Sequence, residues 1–509
     1  MKREILENKK FLLMALLTSI YIYLPHILFG NHLKAILFFT LMLFLISKIN
    51  KHFYLLISYI LIFFNIIFTH IYFRWGIAEH EIATRIATFQ VSPPYEIREY
   101  LMNSLTYTDA LIILYAVIGL YLVYRLFKYQ HSLKKLRLFA LVTFPVFLIF
   151  AIIYRNPFLY IAPLNYVYKY IEASSWTDIP KQRLKYLKSV NLKKSSHPMK
   201  YDKIVIVIGE SASRNHMSLY GYYQKTTPFF DTLQKQGFFY KFHAISPGNK
   251  TRLALPMELT DADVNDFGKF AHSVSLVTDL KINGYKTYWL SNQSTSTRRE
   301  SFITSIAHES DYCKIENKMA WKFVKNLDNV LLKELDGIQN KSQKEAYFIH
   351  LMGSHIKYTA RVGKDKLLYK NPKNVIQEYD NTIFYTDYIL SEIYKRFKDD
   401  KLLFVYFSDH GEVVSEDECG HGYSPAYKDE YEIPFVIYSS VPNERLSKLE
   451  KLNQEKIINL ESMSHLIQYA VGMEDNISKL STSTHISVIQ PGNGSKTRQY
   501  DYNQLKYFK

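Results

Sequence analysis

Five long apolar runs crowd into the first 154 residues: Phe11–Phe29, Leu33–Ile49, Phe53–Phe73, Ala110–Phe127 and Leu138–Tyr154. A helix that crosses a bilayer needs about 20 mainly apolar residues. The first and third runs meet that length, and the second and fifth reach it with their flanks. These runs predict five transmembrane helices over residues 1–154. The first run has no small-x-small cleavage site and further spans follow it, so it reads as an anchor rather than a removable signal. The 42 Tyr and 33 Phe of the chain suit the water–lipid boundary better than they suit a soluble surface.

Orientation follows from the positive charges beside the runs. Lys2, Arg3, Lys9 and Lys10 precede the first, Lys48 and Lys51 separate the second from the third, and Arg125, Lys128, Lys134, Lys135 and Arg137 lie between the fourth and fifth. The alternate loops, 30–32 and 74–109, are poorer in Lys and Arg for their length. All three basic regions then face the cytoplasm, and an odd number of spans sends everything after Tyr154 to the other side. Residues 155–200 place Tyr160, Tyr166, Tyr168, Tyr170 and Trp176 among basic residues, which reads as an interfacial linker with amphipathic pieces. A plain first helix of the following domain is the competing reading. Residues 201–509 have the composition of a soluble domain.

Lys and Arg outnumber Asp and Glu by 63 to 47, but the basic residues are dispersed among acidic ones. That pattern fits an anionic membrane surface and argues against nucleic acid as a partner. The two cysteines, Cys313 and Cys419, offer no metal knuckle and no redox pair. Outside the cytoplasm they could form one disulfide, or they could be two buried thiols.

From Lys203 the pattern changes. Ile204–Ile208 is a continuous apolar run ending in Gly209-Glu210-Ser211, the look of a strand buried on both faces. Tyr285–Leu290, Ala346–Leu351 and Leu402–Phe407 repeat it, with helical stretches such as Asn381–Phe397 between them. Strands alternating with helices predict an α/β fold with a mainly parallel central sheet, and such sheets bind ligands beyond the carboxyl ends of their strands. Glu210 follows the first strand, Gly353-Ser354-His355 the third, and Ser408-Asp409-His410-Gly411-Glu412 the fourth, with Gly420-His421-Gly422 shortly after. Carboxylates and imidazoles converging on one sheet edge can ligate a divalent metal of the zinc type.

Taken in order, Ile208-Gly209-Glu210-Ser211, Ser218-Leu219-Tyr220-Gly221-Tyr222, Pro247-Gly248-Asn249-Lys250-Thr251, Gly353-Ser354-His355, Ser408–Glu412 and Gly420-His421-Gly422 resemble the phosphoethanolamine transferases of Gram-negative envelopes, members of the alkaline phosphatase/sulfatase superfamily. The resemblance implies an inner-membrane enzyme with a periplasmic catalytic domain at 201–509. It implies zinc held by Glu210, Thr251, Asp409 and His410, with Thr251 as the nucleophile that carries the phosphoethanolamine. It implies that His355 and His421 hold the phosphate group or a second metal. The implied donor is phosphatidylethanolamine, and the implied acceptor is lipid A, lipopolysaccharide core or another envelope glycan. A threonine hydroxyl is a poor nucleophile at neutral pH, and coordination to zinc favours its alkoxide.

The sequence departs from the family where Ile356-Lys357 follows Gly-Ser-His instead of Gly-Pro, and where two cysteines replace several disulfides; both bear on the acceptor. Three other readings share the fold. A sulfatase needs a Cys or Ser in a Cys/Ser-x-Pro-x-Arg context, whereas this position reads Thr251-Arg252-Leu253-Ala254. A phosphoglycerol transferase would also use a threonine and five spans. An inactive membrane-anchored lipid sensor would have lost the ligand residues, which are all present.

Overall fold

The computed structural model describes residues 2–25, 33–75, 107–128, 138, 140–145, 179–192, 194–294, 302–317, 326–338, 342–423, 426–489 and 498–508. The chain divides into two compact units, one made of Met1–Ser92 with Ile97–Ser174, the other of Pro93–Glu96 with Ser175–Lys509.

The first unit holds helices Lys2–Ile22, Leu33–Ile49, Lys51–Trp75 and Tyr107–Lys128. Among the described residues one stretch, Tyr107–Phe127, is long and apolar enough to cross a membrane by length and composition, and Leu13–Ile22 and His52–Ile67 are shorter apolar helices. Polar groups link the helices from inside. The Tyr21 hydroxyl donates to the Tyr115 carbonyl (2.9 Å), and the Tyr115 hydroxyl donates to the Tyr21 carbonyl (3.0 Å). Most of the fifth apolar run, most of the loop 74–109 and residues 155–178 of the linker lie outside the described residues.

The end of the linker is described. Ile179–Ser189 is a helix of the second unit, pinned by the wholly buried Arg183. Its guanidinium meets Glu309 at 2.9 Å and donates to the carbonyls of Phe270 (2.9 Å) and Ser273 (2.6 Å).

The second unit is built on an eight-stranded sheet. Its strands are β1 (Lys203–Gly209), β2 (Phe239–Ile245), β3 (Lys286–Ser294), β4 (Tyr312–Asn317), β5 (Glu345–His350), β6 (Leu402–Ser408), β9 (Glu432–Ser439) and β10 (Ile458–Asn459). Two short ribbons flank it, β7 (Val413–Val414) with β8 (Cys419–Gly420) and β11 (His485–Ile489) with β12 (Arg498–Asp501). The sheet order is β10-β2-β9-β6-β1-β5-β3-β4. Every pairing is parallel except those of β9, which runs against both β2 and β6. The sheet is therefore mixed and mostly parallel.

Every residue of β1, β5 and β6 is buried, because side chains alternate between two covered faces. Ile204, Ile206 and Ile208 enter one core with Trp289, Phe348 and the helix Thr251–Leu259. Val205 and Val207 enter the other with Tyr347, Tyr406 and the long helix Val375–Phe397. Each such side chain contributes about 1.5–3 kcal/mol on burial, so the three central strands hold their carboxyl ends rigidly in one row. Cys313 packs on the first core and Cys419 on the second. They face opposite sides of the sheet and do not form a disulfide.

A pH-sensitive pin lies on the helix Met463–Val471. His465 Nε2 is 3.0 Å from Asp261 Oδ1, and its Nδ1 is 3.4 Å from Glu474 Oε1. Burial opposes charge on the ring, but these two carboxylates outweigh both burial and the nearby Lys479 and push the imidazole up to about 9. A histidine raised above its unfolded value stabilises fully below about pH 6.5 and loses that contribution as pH rises through about 9. Asp261 is half exposed, which screens the pair. The protein should lose about 1–2 kcal/mol more between pH 6 and 9.5 than a His465→Gln variant, measured by thermal unfolding at both pH values. Equal losses would remove the pin.

Candidate active site

The carboxyl ends of β1, β5 and β6 deliver their polar residues to one place. Glu210, Asp409 and His410 are all buried, and one ligand atom from each lies within 4.8 Å of the others. His410 Nε2 is 3.2 Å from Glu210 Oε1 and 3.5 Å from Asp409 Oδ2. The other ring nitrogen, Nδ1, lies 2.8 Å from the Gly411 carbonyl. With Nδ1 donating there, Nε2 faces the centre, where it would offer a lone pair to a metal once its proton is displaced, the usual arrangement behind a metal-ligating histidine.

Thr251 comes to the same point from another direction. It is the first residue of the helix Thr251–Leu259, so the partial positive charge of that helix end falls on its surroundings. Its hydroxyl donates to Glu210 Oε2 (3.0 Å) and lies 3.4 Å from His410 Nε2. The loop before it is tied to the sheet edge by Ser246, whose hydroxyl bridges the carbonyls of Gly248 (2.7 Å) and Asp409 (2.5 Å). The chain turns out of β1 through Ser211, a non-glycine residue at φ 55°. Asp409 Oδ1 accepts its N–H (3.2 Å), and the Tyr379 hydroxyl donates to its carbonyl (2.7 Å). Backbone held in that region costs of order 1 kcal/mol or more and gathers at functional sites.

The electrostatics mark the cluster as one that wants a cation. Burial and the charge of Glu210 push Asp409 well up. Burial works against Glu210 too, yet His410 holds its carboxyl well below the usual range. His410 is raised despite burial by Asp409 and Glu210. Protons and hydrogen bonds thus compensate two buried carboxylates incompletely, for Asp409 Oδ2 is buried without a hydrogen-bond partner. Two carboxylates, an imidazole nitrogen and a hydroxyl around one point form an O/N donor set that fits a divalent ion of the zinc type, which would displace the imidazole proton on binding.

A second group adjoins the first. His410, Glu412 and His421 also offer ligand atoms within 4.8 Å of one another. The His410 and His421 rings are 4.2 Å apart, centroid to centroid. His421 Nδ1 is 2.7 Å from Glu412 Oε2, and the Tyr358 hydroxyl donates to Glu412 Oε1 (2.7 Å). His355, the expected companion of His421, has its ring 6.1 Å from that of His421. The turn carrying it is held by Asp328, which accepts the N–H groups of Met352 (2.8 Å) and Gly353 (2.9 Å). Gly353 has φ +51°, and a Cβ there would sit 2.8 Å from the Glu210 carbonyl oxygen, so only glycine allows the two strand ends this close.

All six residues singled out from the sequence therefore meet at this edge. Sequence reasoning did not assign Glu412 a role, although it stands in the same motif two residues after His410. It missed Gln293, whose amide donates to Glu210 Oε2 (3.0 Å) and to the Leu351 carbonyl (2.9 Å), because nothing sets that residue apart within Ser291–Ser294. The Ser218–Tyr222 element lies apart from the cluster as a brace, with the Tyr220 hydroxyl reaching the carbonyls of Phe242 (3.1 Å) and Phe435 (3.0 Å).

A mostly parallel sheet whose carboxyl edge gathers buried acids, histidines and a helix-initiating threonine defines an α/β domain of the alkaline phosphatase/sulfatase superfamily. Residues 202–469, more than half of the chain, match the sulfatase family model, and the chain belongs to that family. Among curated proteins it is 31% identical over 258 residues to phosphoethanolamine transferase EptC of Escherichia coli O18:K1:H7, a match covering 47% of this chain and 45% of the relative. It is 30% identical over 258 residues to phosphoethanolamine transferase EptA of Helicobacter pylori, covering 47% and 48%. The chain thus spans about half the length of the curated relatives it matches. Among solved structures, the periplasmic domain of E. coli EptC in complex with Zn aligns with a TM-score of 0.52 at 25% identity, covering 62% of this chain and 96% of that one. The integral membrane protein lipooligosaccharide phosphoethanolamine transferase A (EptA) of Neisseria meningitidis shares the fold with a TM-score of 0.61 at 17% identity, covering 92% and 96%.

Proposed function

We propose that this protein is a zinc-dependent phosphoethanolamine transferase of the inner membrane, which moves phosphoethanolamine from phosphatidylethanolamine through Thr251 to lipid A, lipopolysaccharide core or another envelope glycan. The observation that carries the reading is the Thr251 hydroxyl set 3.0 Å from Glu210 and 3.4 Å from His410 at a helix N-terminus, in a chain whose relatives are named for this transfer. Glu210, Asp409, His410 and Thr251 would hold the zinc. Bound there, it would favour the alkoxide of Thr251 and offset phosphoryl charge.

The chain's own residues do the rest. The helix Thr251–Leu259 aims the hydroxyl, Glu210 accepts its hydrogen bond, and His355 and His421 border the space where a phosphoryl group would sit. Thr251 attacks the donor phosphorus, the bond to the diacylglycerol oxygen breaks, and the threonine proton ends on that oxygen. An acceptor oxygen then attacks the phosphorus, the bond from the Thr251 oxygen to phosphorus breaks, and the acceptor's proton returns to Thr251. Donor and acceptor both lie in or at a membrane, so anchoring the enzyme raises the effective concentration of each.

Five N-terminal spans would supply that anchor. The helix Tyr107–Lys128 supports this, since Leu111, Ile113, Leu114, Val117 and Ile118 are exposed on it, a face that water would penalise and lipid would not. Comparison of lipopolysaccharide and envelope glycans by mass spectrometry, from cells with and without the gene, should show loss of a phosphoethanolamine substituent in the deletion. Identical glycans would reject the reading. For topology, a reporter active only outside the cytoplasm, fused after Lys509, should be active at least about tenfold over the same fusion placed in the basic loop 128–137. The reverse ranking would place the catalytic domain in the cytoplasm.

A further inference from the structure

We propose that Lys250, the residue before the nucleophile, is a further phosphoryl-binding residue, held over the site by passing across Gly422. The proposal rests on the transferase reading for the identity of the substrate, and on the geometry of two loops for the residue.

Lys250 caps the helix Thr251–Leu259 with extended backbone (φ −158°), and its Cα is about 3.8 Å from that of Thr251. Its side chain runs along Gly422, the residue after His421. A Cβ built on Gly422 would meet Lys250 Cε at 2.4 Å and Nζ at 3.3 Å. The lysine stem therefore occupies the place where any other residue at 422 would put its side chain. Gly422 also has φ +77°, so its backbone and its missing side chain both serve this crossing. The crossing is fixed from below by Glu430, which accepts hydrogen bonds from the N–H groups of Gly422 (2.5 Å) and Tyr423 (2.9 Å) and from the Asn249 amide (3.0 Å). One buried carboxylate thus locks the Lys250 loop to the His421 loop.

Lys250 is thus next to the nucleophile in sequence, and its side chain crosses the residue that follows His421. Among the described residues, Glu210, Asp409, Glu412 and Glu430 are buried at this edge, and their charge disfavours a phosphate unless a cation offsets it. Arg361, on the turn after His355, directs its guanidinium to the carbonyls of His355 (3.2 Å) and Ile356 (3.1 Å). When Thr251 forms its bond to phosphorus and the bond to the leaving oxygen breaks, negative charge builds on the non-bridging phosphoryl oxygens. An ammonium fixed beside them stabilises that charge without reorganising.

The test uses the full-length, zinc-loaded protein and two readouts, transfer to acceptor and binding of inorganic phosphate by calorimetry. Lys250→Met should lower kcat/KM about 100-fold and weaken phosphate about tenfold, with zinc content and Tm unchanged. Lys250→Arg should recover most of the phosphate affinity. Gly422→Ala, which displaces the lysine stem, should reproduce the Lys250→Met loss. Phosphate affinity within twofold of the parent in Lys250→Met would overturn the proposal, as would a parent protein that binds no phosphate. A parent that binds phosphate but transfers nothing would reject the transferase reading and leave the Lys250 contact standing on its binding data.

Discussion

Replacing Thr251 by alanine is expected to abolish transfer, by about 10,000-fold or more, while leaving the fold in place. The hydroxyl is the one nucleophile that the helix Thr251–Leu259 presents to the Glu210 and His410 side chains. It makes no capping bond, because the helix cap is Lys250, and alanine is a good helix former. The change should cost less than about 1 kcal/mol of stability. A covalent mechanism makes a sharper forecast than lost turnover. Incubated with phosphatidylethanolamine and no acceptor, the parent should gain the mass of phosphoethanolamine on the peptide containing Thr251. The alanine variant should gain none, and Thr251→Ser should retain part of both signals, since it keeps the oxygen. Full transfer by a folded, metal-loaded alanine variant would end the two-displacement mechanism and point to direct attack by the acceptor.

The strands that could be read from the sequence are those buried on both faces. In β1, β5 and β6 every position is buried, and Ile204–Ile208, Ala346–Ile349 and Leu402–Phe407 are continuously apolar within them, so no alternation was needed to find them. β2 hid because it exposes His243 and half-exposes Lys241 between buried neighbours. β9 carries Glu432 and Pro434, which look like loop residues until the cluster around Glu432 is seen: Arg214 (3.0 Å) pairs with that carboxylate, and Asn215 (2.6 Å) and Tyr507 (2.9 Å) donate hydrogen bonds to it. The sheet is mainly parallel as expected, and this one antiparallel strand makes it mixed. Glu210, Asp409 and His410 were legible for the opposite reason, as polar residues that abruptly end apolar strands. Gln293 was not, because β3 extends past its apolar part into Ser291–Ser294, and only the fold brings that extension beside Glu210.

His410→Ala should empty the metal site, taking zinc from near one equivalent per chain to below about a tenth. The imidazole is the single nitrogen donor among Glu210, Asp409 and Thr251, and its Nδ1 contact with the Gly411 carbonyl fixes the direction of Nε2. Its loss would also leave Glu210 and Asp409 buried with no positive partner between them. Breaking a buried charge pair on one side costs about 3–5 kcal/mol, so the variant should unfold at a lower temperature than the metal-free parent. Two comparisons separate these effects. A chelator should lower the Tm of the parent, because bound ligand stabilises by mass action, and should leave the Tm of His410→Ala unmoved. His465→Gln, which changes a histidine paired with Asp261 and Glu474 instead, should keep its zinc. Unchanged metal content in His410→Ala would remove His410 from the ligand set and transfer the question to the neighbouring group of Glu412 and His421.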